Sequence, residues 1–91
     1  MRVPTGTERI GTVQYPLSTT AQKIASISAG RHRALIRNHD AALVVYVGGA
    51  NVSTSNGFLL DPKDAVPIYS KGEIWAVAAS GTPTVSVLEE D

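Results

Sequence analysis

Apolar and polar residues alternate along most of this chain. Arg31 to Asn38 (RHRALIRN) sets Ala34 and Ile36 against Arg33, Leu35 and Arg37, the pattern of a half-buried strand. Asn38-His39-Asp40 is a turn whose side chains can bond their own backbone. In Leu43 to Val47, Val45 and Val47 are expected inward, because Tyr46 carries a hydroxyl that needs a partner or water. Gly48 and Gly49 end that strand, Asn56-Gly57 turns the chain back into Phe58-Leu59-Leu60, and Asp61-Pro62-Lys63-Asp64 stops it. Ala65 to Tyr69 contains Pro67, which donates no ladder hydrogen bond and predicts an edge or a bulge. Ser70-Lys71-Gly72 turns next, with Gly72 expected to supply a positive φ. Glu73 to Ala79 is apolar on both faces, which suits a central strand or one whose outer face meets a partner. After Ser80-Gly81-Thr82-Pro83, Val85 and Val87 alternate through Thr84 to Glu89. Upstream, Leu17 to Ile27 alternates weakly, Ala21, Lys23 and Ala25 against Gln22, Ile24 and Ser26, and predicts a first strand closed by Ser28-Ala29-Gly30.

About seven short strands divided by turns predict an all-β fold: one small antiparallel β-sandwich or jelly-roll-like domain over residues 17–91. Residues 1–16 mix Pro, Gly, Thr and charge around isolated apolar positions and read as an extended N-terminal arm. Val3, Ile10, Val13 and Tyr15 are its docking candidates, able to add a strand to an exposed edge of a partner. Removal of residues 2–14 is expected to leave the sandwich folded.

The chain has 91 residues, 43% of them hydrophobic, and its only aromatics are Tyr15, Tyr46, Phe58, Tyr69 and Trp75. A domain of this size has a thin core, which makes association with other copies a natural source of stability. Ile74, Trp75 and Val77 are the candidates for core or oligomer interface. Eight basic residues balance eight acidic ones, so no net field favours nucleic acid or anionic lipid, and neither is expected as a partner. Locally, Arg33 and Arg37 flank Leu35 on one strand face, a basic patch with an apolar centre suited to an acidic protein surface. Cysteine is absent, which excludes disulfides and thiolate chemistry. No apolar run approaches the roughly 20 residues of a membrane helix. The N-terminus lacks a basic-then-apolar leader pattern, so synthesis in a cytoplasm is expected.

Catalytic constellations are missing from this pattern. His32 and His39 bracket one strand with odd spacing, on opposite faces, and cannot share a metal. His39-Asp40 has no nucleophile elbow beside it, although Ser53, Thr54 and Ser55 offer hydroxyls. Asp61 and Asp64 lack the alternating oxygen ligands of a calcium loop, and Gly48-Gly49 lacks the helix and lysine of a phosphate loop. The expectation is a protein that is not an enzyme, with no metal and no cofactor.

The order of motifs over residues 17–91 resembles the small β-sandwich virion proteins of tailed bacteriophages. The resemblance lies in Arg31, Arg33, Ile36 and Asn38; Tyr46-Val47-Gly48; Asn56-Gly57 and Leu60; Gly72, Ile74, Trp75 and Ala76; and Gly81-Thr82, Val85, Val87, Leu88 and Glu89. One departure is visible: the stop after Leu60, often A-P-G-E in such proteins, is here Asp61-Pro62-Lys63-Asp64. The resemblance implies a non-catalytic structural protein, foremost a capsid decoration (cement) protein on the phage head surface. Its partners would be the major capsid protein and itself, a trimer being favoured. The resemblance does not reach the arm; the residues themselves make Val3, Ile10, Val13 and Tyr15, with Arg33, Leu35 and Arg37, the capsid-contact candidates. The alternative is a carbohydrate- or receptor-binding or structural module of the tail or neck, for which Trp75, Tyr69 and Tyr46 are the aromatic candidates.

Overall fold

A computed structural model describes residues 10–90. Eight strands, β1 (Ile10–Pro16), β2 (Gln22–Ala25), β3 (Arg33–Asn38), β4 (Val45–Gly48), β5 (Phe58–Leu60), β6 (Ala65–Ile68), β7 (Ile74–Ala78) and β8 (Thr84–Glu90), form two antiparallel sheets. Their orders are β1-β8-β3-β6 and β2-β7-β4-β5. The chain therefore changes sheet at every connection except β4–β5, and each sheet interleaves early and late strands, the double-sheet jelly-roll plan. Residues 17–21 join the outermost strands β1 and β2, and residues 61–64 join the outermost strands β5 and β6. Those short links set β1 beside β2 along one lateral edge of the sandwich and β5 beside β6 along the other.

The inner faces follow the alternation. Ala34 and Ile36 on β3, Val45 and Val47 on β4, and Val85 and Val87 on β8 are all buried in one core. Tyr46 stays half-buried on the outer face of its sheet. The apolar β7 lies between β2 and β4, and β6 with Pro67 lies at a sheet edge, both as the sequence predicts.

Three expectations change. Residues 10–16, read as part of an arm, run extended and pair with β8 along their whole length, from Ile10 opposite Glu90 to Pro16 opposite Thr84. Tyr15 also packs against the core. Val3 lies outside the described residues. In β2 the register shifts between Lys23 and Ala25, so Ile24 and Ala25 are both buried and strict alternation is lost. Among the described residues the glycine with positive φ is Gly81, at 68°, rather than Gly72. A Cβ on Gly81 would stand 2.8 Å from Leu43 Cδ1, a second reason for glycine there.

Two buried polar side chains tie off the ends. At one end Arg31, wholly buried, uses all five donors: Nε and Nη2 donate to Ser70 O, Nη2 to Gly72 O, and Nη1 to Ser26 O and to Glu89 Oε2 at 2.8 Å. It thereby joins the loops after β2 and β6 to the last strand. At the other end buried Asn38 donates from Nδ2 to Leu43 O and Leu60 O, and its Oδ1 accepts from Asp40 N. The Asp40 carboxylate in turn accepts from Ala42 N and Leu43 N. Asp40 is thus a turn cap.

Candidate functional site

The register of the first sheet assembles an outward surface in transverse rows. Ile10, Glu90 and Arg33 form one row; Thr12, Leu88, Leu35 and Pro67 the next; Gln14, Ser86, Arg37 and Ala65 the third. Four residues expected from sequence to make contacts, Ile10, Arg33, Leu35 and Arg37, therefore share one face although two strand segments supply them. Val13 and Tyr15 have the opposite parity and point with Val87 and Val85 toward the other sheet. Val13 remains 50% exposed because β1 is an edge strand, whereas Tyr15 is half-buried.

A shallow depression of about 370 Å³ lies on this face, lined by Thr12, Gln14, Leu35, Arg37, Ser86 and Leu88 with the backbone strip of Val13 and Val87. Its apolar floor is the Leu35–Leu88 cross-strand pair, both half-buried. Hydroxyls, one amide and one guanidinium surround that floor. The three arginines of the segment differ sharply. Arg31 is internal, and Arg33 is paired with Glu90 Oε2 at 3.0 Å, which raises its already high pKa through the hydrogen bond and the charge of Glu90. Arg37 is exposed; its Nε makes a long 3.4 Å bond to Lys63 O, and among the described residues it has no carboxylate partner. A surface of this kind can bury a small apolar group and direct hydrogen bonds at its polar edge.

The outer face of the second sheet carries two of the aromatic candidates, Trp75 and Tyr46. Trp75 lies opposite Lys23 and Gly48, outside the inter-sheet core, and donates from Nε1 to Glu73 Oε1 at 3.1 Å. Lys23 Nζ stands 3.7 Å from Glu73 Oε2. Ile74 is a core residue, while Val77, opposite Tyr46, is buried without belonging to that core. The loop 49–57 folds back over this face, with Val52 buried against the bare backbones of Gly48 and Gly57. A Cβ on Gly57 would meet Tyr46 Cβ at 2.6 Å and Ser53 O at 2.9 Å. That close approach is the role of the Asn56-Gly57 turn. Tyr69, the third, is 68% exposed just beyond β6 of the first sheet, beside Arg33.

The sequence did not reveal Gln14, Thr12, Ser86 or Leu88 as neighbours of Arg37. They come from the first and last strands, and only pairing of β8 between β1 and β3 brings them together. Among the described residues no three His, Asp or Glu side chains gather as a metal site.

No known protein family matches the chain, and no curated protein does. Among solved structures, it is similar to the stem and receptor-binding domain of the spike protein P1 from bacteriophage PM2. The TM-score is 0.67 at 19% sequence identity, over 89% of this chain and 33% of that one. This chain thus matches about a third of the solved spike chain, and the likeness is one of fold.

Proposed function

We propose that this chain is a non-catalytic structural domain of a bacteriophage virion that works in host attachment, as a module of a spike or tail component. The observation that carries this reading is the fold likeness to the stem and receptor-binding domain of the PM2 spike protein. It supports an attachment module more than the capsid cement that the motif order favours, because that spike fragment is described by receptor binding rather than by capsid decoration. The motif resemblance adds the virion context.

In this reading the depression on the first sheet is the contact surface. Leu35 and Leu88 accept an apolar portion of a host-surface molecule, while Thr12, Gln14, Ser86 and Arg37 orient its polar groups. Recognition needs no moving part, because paired strands hold the lining side chains. Many copies on one particle would give firm adsorption from weak single contacts.

Labelling of intact particles with an antibody to this chain, viewed by cryo-electron microscopy, tests the placement. Label at vertices or at a tail is expected, and uniform label over the capsid faces would restore the decoration reading. Purified protein should bind host cells, and the Leu35→Asp/Arg37→Glu variant should bind at least about tenfold more weakly, equivalent to roughly 1.4 kcal/mol or more. Unchanged binding by a folded double variant would remove this face from the site.

A further inference from the structure

The depression on the first sheet is lined by one charged group, Arg37, and by no aspartate or glutamate. Its two transverse rows differ in kind. Gln14, Ser86 and Arg37 form a polar row, and Thr12, Leu88 and Leu35 form the row that holds the apolar floor. Neighbouring strands lie about 4.8 Å apart and alternate residues of one strand about 7 Å apart, so the polar row is an edge about 10 Å long beside that floor. Thr12, Gln14 and Arg37 are exposed and Ser86 is half-buried, which leaves their donors and acceptors open to a ligand. The other cations nearby are engaged. Arg33, beyond the floor, is neutralised by Glu90, and Lys63 directs its Nζ to His39 O. Among the described residues, Arg37 bonds the protein only from Nε, at 3.4 Å to Lys63 O, so Nη1 and Nη2 stay available.

We infer that this depression takes a carboxylate-bearing sugar, an acidic unit of a host-surface saccharide. Its carboxylate lies on Arg37, its ring hydroxyls on Gln14, Ser86 and Thr12, and its apolar ring face on Leu35 and Leu88. The inference rests on the attachment reading and narrows it to one class of ligand. Charge selects that class first. A single guanidinium matches a monoanion, whereas a phosphate monoester, with nearly two negative charges, would keep one unpaired. Shape comes next, because two free Nη groups form the fork that binds a planar carboxylate bidentately. The hydroxyls and the amide of the lining then need a ligand rich in hydroxyls, which a fatty acid is not. A volume of about 370 Å³ sits at the low end of small-ligand sites, about 300–1,000 Å³, and suits one or two rings. An exposed charge of this kind binds weakly at one site and is sensitive to salt, and many copies on a particle multiply the effect.

The test titrates the full chain, followed by amide and methyl NMR, with methyl β-D-glucuronide, its neutral carboxamide and methyl β-D-glucoside. The acid should shift the signals of Gln14, Ser86 and Arg37 and the methyls of Leu35 and Leu88, with a Kd at least about tenfold below that of either neutral probe. Arg37→Gln should abolish that preference, and the carboxamide removes the same charge from the ligand side should the variant fail to fold. Saccharide stripped from the host surface should compete with adsorption of the protein to host cells, and should lose that power once its carboxylates are reduced to alcohols. Acid and neutral probes that bind alike, an acid that shifts none of these residues, or competition that survives reduction would each overturn the inference. Equal shifts from sodium sulfate would also overturn it, as the mark of a general anion site. Adsorption separates this inference from the reading beneath it. Host cells bound equally well by Arg37→Gln would keep attachment and overturn the acidic ligand, whereas an acid bound at these residues by a protein that adsorbs to no host cell would keep the ligand and overturn attachment.

Discussion

Lys63 occupies a backbone conformation that a side chain disfavours. Its φ is 69°, in the turn Asp61-Pro62-Lys63-Asp64, at the position where the resembling phage proteins carry the glycine of A-P-G-E. The turn holds because Lys63 N donates to Asn38 O and Asp64 N to Asp61 O, while Lys63 Nζ reaches His39 O at 2.9 Å. A left-handed residue with a Cβ costs about 1–2 kcal/mol, and glycine loses about 0.5–1 kcal/mol through its freer unfolded chain. Lys63→Gly should therefore stabilise the fold by about 0.5 kcal/mol and raise the melting temperature by roughly 2–4 °C. A fall in Tm would show that the exposed Nζ bond outweighs the backbone term. Asp40 gives a second residue-scale prediction. Backbone N–H groups of Ala42 and Leu43 hold its carboxyl below the usual carboxylate range. Because the folded pKa is the lower one, the stabilising contribution is complete above the unfolded value of about 3.9 and is lost as pH falls through the folded value. The stability gap between wild type and Asp40→Asn should be widest near neutral pH and narrow below about pH 4, as urea unfolding at several pH values would read. A gap independent of pH would contradict the cap.

At the scale of elements, β1 has the largest consequence. A segment of Pro, Gly, Thr and scattered apolar residues has no sustained period, so residues 10–16 resembled the nine before them. What distinguishes them is β8, whose outer edge would otherwise be bare, and the place Tyr15 finds at the core. Deletion through residue 16 removes a seven-residue ladder and the Tyr15 packing, and should cost at least about 2–3 kcal/mol, enough to unfold a marginal domain. Melting of that deletion at the full-length temperature would return residues 10–16 to the status of an arm. By contrast β3, β4, β7 and β8 were legible, because strict alternation or two-sided apolarity survives wherever a strand has neighbours on both sides. The candidate site was half legible. Arg33, Leu35 and Arg37 stand out on one strand, but their neighbours Thr12, Gln14, Ser86 and Leu88 are ordinary residues in ordinary strands.

At the scale of the molecule, the jelly-roll order makes the first and last strands partners and puts unlike strands on the two lateral edges. The polar anchors Arg31 and Asn38 close the two ends, and Arg31 brings the loops that carry Ile27 and Tyr69 together at one of them.

What the sequence by itself determined was local. Alternation set which side chains of β3, β4 and β8 face inward, and Pro67 set an edge, because each depends on the chain's own pleat and donors. The tertiary structure alone decided three matters: the burial of Arg31, the place of β1, and the outward position of Trp75. Arg31 precedes a strand with Arg33 and Arg37 and looks like them in sequence. It is internal because Ser26, Ser70, Gly72 and Glu89, distant along the chain, converge to match its five donors. Trp75 is as apolar as its neighbours in β7, yet register with β4 gives the core to Ala76 and Ala78 and leaves the indole outside. Pairing partners are non-local, and no pattern within a single strand encodes them.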